Sequence, residues 1–280
     1  MYTSRWPSLL TYAAVASATL NPSSCPLTAL KVRLPPYLDS ATNASGNETS
    51  ASSPATSDFL APPPAWFLGT WTIRRTSGTS YLSYGNLQWD LTPTVTTTCL
   101  ANSTSLCPLG GLHGVINEVT SWAPADNKTA LNGAIGGGGR PVASVRAYNT
   151  PRRLNFPELN ADWDAVYDNT ITDGPGKGFM QSWSVMHWSL DEKGMPWMVV
   201  HEAPALFPNG EWGVPAVHVI SQNRDGVDES TLRTVLEALK DLGNDEVTEQ
   251  VEILEFTRFD GNLPGGAVIC AELCQKNGGK

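Results

Sequence analysis

From Ala65 onward the chain falls into short runs that alternate apolar with polar positions and are broken by Gly, Pro, Asn and Asp, the pattern of strands joined by turns. Gly69 to Arg75 predicts a first strand, and Gly78 and Gly85 punctuate its connection to a second, from Leu87 to about Cys99. Leu112 to Trp122 and Val142 to Thr150 predict two more, and Tyr167 to Thr172 a short fifth. Gly178 to Leu190 and Pro196 to Ala203 read as a hairpin around Asp191-Glu192-Lys193-Gly194, and Ala216 to Gln222 completes the series. About eight strands enclose either packed side chains or one small ligand. The period then changes: Asp228 is a predicted helix N-cap, and Leu232, Val235, Leu236, Leu239 and Leu242 recur at spacings of three and four before Gly243. Val251 to Phe256 reads as a strand returning to the barrel edge. The expected fold is mainly β, an eight-stranded antiparallel barrel with a C-terminal α-helix.

The first 64 residues follow other rules. Arg5 precedes the apolar stretch Leu9 to Val15, and Ala16-Ser17-Ala18 supplies a small-residue cleavage pattern, so residues 1–18 read as a secretory signal peptide. Residues 19–64, rich in Ser, Thr, Ala, Asn and Pro and ending in Ala61-Pro62-Pro63-Pro64, read as a low-complexity, glycosylated leader in which Leu30 to Leu34 alternates like a short strand. The barrel is assigned to 65–262 and a tail with a cysteine pair to 263–280. No later segment has the ~20 apolar residues of a stable membrane span, and the expected location is extracellular. That context makes Asn43, Asn47, Asn102 and Asn127 glycosylation candidates. It also favours disulfides among the five cysteines. Cys99 and Cys107 are candidates to close a hairpin, and Cys25, Cys270 and Cys274 to tie the termini, with one thiol left over.

A net charge of −9 excludes nucleic acid as an expected partner, because phosphate-backbone binding needs clustered Lys and Arg. Ten tryptophans supply large amphipathic surfaces for filling a core or lining a cavity. With a tight Asp191–Gly194 turn, Trp183, Val185 and His187 share one face with Trp197, Val199 and His201, and His218 falls opposite His201. A one-residue slip reverses that face. These seven residues are the ligand-binding candidates, against the plainer reading that His187, His201 and His218 are individually hydrogen-bonded residues. His113 stands apart. No cofactor and no metal is expected, since neither histidine nor cysteine spacing is diagnostic of one. Gly136 to Gly139 lacks the Lys-Ser/Thr ending of a phosphate loop, Ser221 lacks a nucleophile elbow, and Asp162, Asp164, Arg152 and Arg153 read as solvated loop residues.

Trp66-Phe67-Leu68-Gly69-Thr70-Trp71 carries a Gly-x-Trp motif at the start of the first strand, and Arg224 follows the last strand just before the helix. This order resembles the lipocalins of the calycin superfamily, and the chain looks closest to secreted fungal lipocalin-like proteins. The matching pieces include Lys177-Gly178-Phe179, His187-Trp188, Trp197 to Val200, Leu206-Phe207-Pro208 and Ser221 to Arg224. No Thr-Asp-Tyr motif precedes the penultimate turn, which points to an outlying branch. The resemblance implies that Gly69, Trp71 and Arg224 close one barrel end, with the guanidinium over the indole. It also implies that a hydrophobic or amphipathic small molecule binds in the barrel. Two other readings stay open: a cofactor-independent isomerase or cyclase using the same cavity, and a secreted protein-interaction module.

Overall fold

The computed structural model describes residues 30–39, 59–94, 114–124, 143–174, 176–205, 210 and 212–259. All five cysteines, the four sequons, His113, the Gly136–Gly139 stretch and the predicted signal and tail lie outside the described residues. After a short helix α1 (Pro36–Asp39), a single 3-10 turn (Pro64–Phe67) leads into β1 (Gly69–Thr76). Helix α2 (Thr79–Leu82), β2 (Tyr84–Pro93), β3 (Ile116–Pro124) and β4 (Ala143–Pro151) come next. Helix α3 (Arg152–Asn155) is followed by β5 (Val166–Asp173), β6 (Met180–Leu190), β7 (Pro196–Glu202) and β8 (Ala216–Ser221). Every strand from β2 to β8 pairs antiparallel with the next, β8 pairs with β1, and β1 pairs back onto β2. The eight strands therefore close on themselves and leave no free edge within the ring.

Two helices, α4 (Glu229–Lys240) and α5 (Asp245–Glu252), follow the barrel, and β9 (Glu255–Phe256) pairs with the end of β1. Asp228 caps α4 as expected, its carboxylate accepting from the Thr231 amide at 2.8 Å. Helix α5 corrects the expected strand over 251–256. Asn244 caps it through the Val247 amide, and Val247 and Val251, four residues apart, turn inward together, so only Glu255 and Phe256 remain extended.

Two apolar clusters share strands β6 to β8. The inner one fills much of the barrel with Trp71, Ile73, Trp89, Trp183, Val185, Met198, Val200 and Ile220. The outer one packs Met186, Trp197, Val199, Val217 and Val219 beneath Leu232, Val235 and Leu239 of α4 and Val247 and Val251 of α5. Residues 30–39 lie across the same outer surface, where the Arg33 amide donates to the Met186 carbonyl at 3.0 Å and Leu34 joins the outer cluster. This part of the predicted leader is packed on the barrel, though as an extended segment and a helical turn, not the strand that its alternation suggested.

Candidate functional site in the barrel lumen

One end of the barrel is plugged. Trp66 and Phe67, in the 3-10 turn before β1, are buried, with Trp66 edge-on to Trp188 at 4.6 Å and Phe67 edge-on to Tyr167 and Trp183. Tyr167 stacks on Trp183 with ring centres 4.6 Å apart. Trp71 is fully buried and its indole donates to the Phe67 carbonyl at 2.7 Å, which ties the plug to the first strand. Gly69 has φ +128°, and a Cβ there would approach Gln222 Nε2 to 3.0 Å, so the motif's glycine answers both backbone conformation and close approach. Arg224 does not fill the role the resemblance implied. It is exposed and makes no ring contact among the described residues; Gln222, two residues earlier, donates to the Leu68 carbonyl instead. A short turn after β8 carries Arg224 outward.

The other end is hollow. A cavity of about 560 Å3 lies where β1–β2, β3–β4, β5–β6 and β7–β8 connect. That size suits a small organic ligand. Its walls are aromatic: Tyr81 and Tyr84 at the α2–β2 corner, Trp89 on β2, Trp122 on β3, Phe179 before β6 and Trp183 within it, with Trp212 before β8. Ala147 on β4 and Ala216 on β8 leave the space that larger side chains would fill.

Two carboxyl groups interrupt this lining, and both are buried. Glu118 on β3 accepts from Thr120 Oγ1, Asn149 Nδ2 and Asn169 Nδ2, the last two at 2.7 and 2.9 Å. Asn149 Oδ1 in turn accepts from Asn169 Nδ2 and from the Trp183 indole. Burial pushes the Glu118 carboxyl above the usual glutamate range, and the nearby Glu202 adds to that push against the three hydrogen bonds. Glu202, the last residue of β7, accepts from Tyr81 Oη at 3.0 Å and from Gln181 Nε2 at 3.2 Å. Its Oε2 lies 3.1 Å from His218 Nε2, close enough for an ion pair but off the line of a hydrogen bond. Burial works to raise the Glu202 carboxyl, but the imidazole and the Tyr81 and Gln181 donors together hold it below its ordinary value. Burial beside Glu202 raises the Tyr81 phenol well above its normal range.

The sequence-predicted candidates divide between two faces of the sheet. Trp183 and Val185 point inward, and His218 lies inside opposite Val200, not opposite His201. Trp197, Val199 and His201 point outward under the helices, and His187 goes with them, its ring 4.8 Å from Trp197. The expected hairpin register does hold near the turn, where His187 pairs with Val199. A bulge at Met186 then breaks the alternation, so that Val185 pairs with Val200 and Trp183 with Glu202. His201 is fully buried between Tyr37 Oη at 2.8 Å and Glu246 Oε1 at 3.0 Å, and His187 Nδ1 meets the Lys31 carbonyl at 2.9 Å. Burial lowers the His187 pKa. These two histidines fasten the 30–39 segment and α5 to the barrel wall and do not touch the cavity.

Arg152 pairs with Asp168 at 3.1 Å and Arg153 with Asp164, while Arg33 donates to the Asp162 and Asp164 carbonyls, so this corner is more tightly connected than a solvated loop. Glu118 and Glu202 were missed in sequence because an acidic residue at an alternating strand position reads as solvent-facing. The parity of Ile116, Glu118, Thr120 and Trp122 is the available signal, since Ile116 and Trp122 mark that face as inward. Among the described residues no group of three His, Cys, Asp or Glu is placed to hold a metal, and no helix is long and apolar enough to cross a membrane.

The closed ring of eight up-and-down strands, plugged beside a Gly-x-Trp motif and followed by a helix packed on its wall, decides the fold. The chain folds as a lipocalin-like barrel. No family model and no curated protein matches the sequence. Similar solved structures include apocrustacyanin C2 and lobster apocrustacyanin A1, each with a TM-score of 0.41, identities of 8% and 9%, and coverage of 71% of this chain and 81% of theirs. An odorant binding protein, OBP1, has a TM-score of 0.36 at 8% identity and covers 71% of this chain and 94% of its own. The fold assignment rests on the strand pairings.

Proposed function

We propose that this protein binds a hydrophobic or amphipathic small molecule in the barrel lumen, as an extracellular carrier or sequestering protein. The observation that carries the reading is the cavity of about 560 Å3, walled by aromatic rings and interrupted by two buried carboxyl groups. Apolar burial at ~25 cal/mol per Å2 supplies the affinity, and a few polar contacts set the orientation. The cavity weighs against the protein-interaction reading, which expected no sizeable accessible space in the barrel. Export is supported by the Arg5-to-Ala18 pattern alone.

The test is native mass spectrometry of the protein taken from its producing cells, followed by extraction of the bound molecule and its return to ligand-free protein. A stoichiometric apolar ligand recovered unchanged supports carriage. A protein that neither retains such a molecule nor takes up any apolar compound added to it contradicts the reading. The cluster of Tyr81, Glu202 and His218 favours a second use of the same lumen, isomerisation or cyclisation by proton transfer. That reading requires the extracted molecule to be chemically converted on re-incubation, with loss of turnover in Glu202→Gln.

A further inference from the structure

Resting on that ligand-binding reading, we infer that the lumen selects a cationic amphiphile, an organic ammonium with an apolar tail, and seats its positive head at Glu118. Charge on the wall is the first observation. Both charged residues that line the cavity among the described residues are acids, Glu118 and Glu202, and no Lys or Arg is among its lining. An anionic head would enter a low-dielectric chamber already holding two carboxyl groups, where like charges repel more strongly than in water.

The two acids are not equivalent. Glu202 has the His218 imidazole beside it, with Nε2 3.1 Å from its carboxyl oxygen. Glu118 is held by Thr120, Asn149 and Asn169, all neutral donors, and its charged form has no cation beside it among its hydrogen-bond partners. A buried carboxyl group arranged in that way is stabilised in its charged form by a counter-ion brought from outside. The rings around it supply the second half of the recognition. Trp122 shares the inward face of β3 with Glu118 and Thr120, Trp89 lies across the strand pair from Thr120, and the Trp183 indole donates to Asn149, which holds Glu118. Aromatic faces attract ammonium groups, most strongly when both are shielded from water. The net charge of −9 favours approach by the same class of ligand.

The experiment compares three amphiphiles with one tail and different heads. Decyltrimethylammonium, decanol and decanoate, kept below their aggregation concentrations at neutral pH, displace the neutral fluorophore N-phenyl-1-naphthylamine from the full chain. The ammonium is expected to displace it at roughly tenfold lower concentration than decanol, and decanoate to be the weakest. In Glu118→Gln the ammonium-to-decanol ratio is expected to collapse toward one. The isosteric amide keeps an oxygen for Asn149 and Asn169 and an N–H for the Thr120 hydroxyl, and circular dichroism verifies the fold. In Glu192→Gln, which removes one exposed carboxylate from the β6–β7 turn, the ratio is expected to persist.

Displacement that is equal for all three heads, or best for decanoate, overturns the inference while leaving lumen binding in place. An ammonium preference that survives in Glu118→Gln overturns the assignment to that carboxyl group. Failure of the neutral fluorophore and, in direct titration, of all three amphiphiles to bind overturns the ligand-binding reading itself, and the inference with it.

Discussion

Strand β7 is buried on both sides, and the two sides are buried differently. Outward, Trp197, Val199 and His201 lie beneath α4, α5 and residues 30–39, where His201 has Tyr37 on one ring nitrogen and Glu246 on the other. Inward, Met198 and Val200 join the aromatic plug, but Glu202 ends the strand on the wall of a cavity. The outer face is closed by other parts of the same chain; among the described residues the hollow end of the inner face has no such occupant. Stability is therefore concentrated in the outer layer and the plug, and the proposed recognition in the hollow end. Separate substitutions should move the two properties independently.

The largest effect is expected from Trp197→Ala, which removes a fully buried indole from the outer cluster and should cost about 3–5 kcal/mol in denaturant unfolding. Trp122→Ala, in the lumen wall and only partly buried, should cost less than half as much while weakening binding of an apolar fluorophore. Similar stability losses in the two variants would break the division. His201→Ala comes next, at about 1–3 kcal/mol, because it removes the imidazole that joins Tyr37 and Glu246 and leaves Tyr37 only the residue 201 carbonyl. Its fluorophore affinity should stay within about twofold of the parent protein, a change below ~0.5 kcal/mol.

A smaller effect, with a definite sign, is expected for Glu118→Gln. The carboxyl is pushed up by burial, so the folded protein binds a proton more tightly there than the unfolded chain does. This group then favours folding least above its raised pKa, and stability falls as pH rises from the ordinary glutamate range through that value. The ligand-free variant should consequently melt higher than the parent at neutral pH, with the gap closing in acid. Glu202, Tyr81 and Tyr84 face the same chamber, with His218 buried behind Glu202, and Glu202 has the opposite sign, its stabilising contribution being lost as pH falls. A gap that widens in acid would contradict the assignment.

Much of the barrel was legible because its turns and alternation are regular. All eight strands were expected near their observed places, and the α4 stripe and its Asp228 cap were explicit. The site was less legible for the reason that separates the two faces of β7. A strand buried on both sides carries apolar residues at odd and even positions alike, so Trp197 to His201 gave no sign of which parity faced the lumen. The Met186 bulge then moved Trp183 and Val185 onto the other face from His187, and no turn residue announces a bulge in Ser184-Val185-Met186-His187. Helix α5 was not anticipated, and the expected 251–256 strand covered its last two residues, because its apolar positions Val247 and Val251 are few and the Asn244 cap that starts it follows closely on Gly243. Arg224 shows the reverse case, a residue in the expected place in the chain whose side chain lies in solvent.

The most direct test of the central claim, that the lumen is the ligand site, is an equilibrium titration of N-phenyl-1-naphthylamine into the parent protein, Ala147→Phe and His201→Ala. Ala147 is paired with Glu118 across β3 and β4 and lines the cavity, so a phenyl ring there occupies the space itself. Saturable binding at one site in the parent and in His201→Ala, weakened about tenfold or more in Ala147→Phe, is the predicted result. Equal binding by Ala147→Phe and loss of binding in His201→Ala would place the site on the outer face and contradict the account.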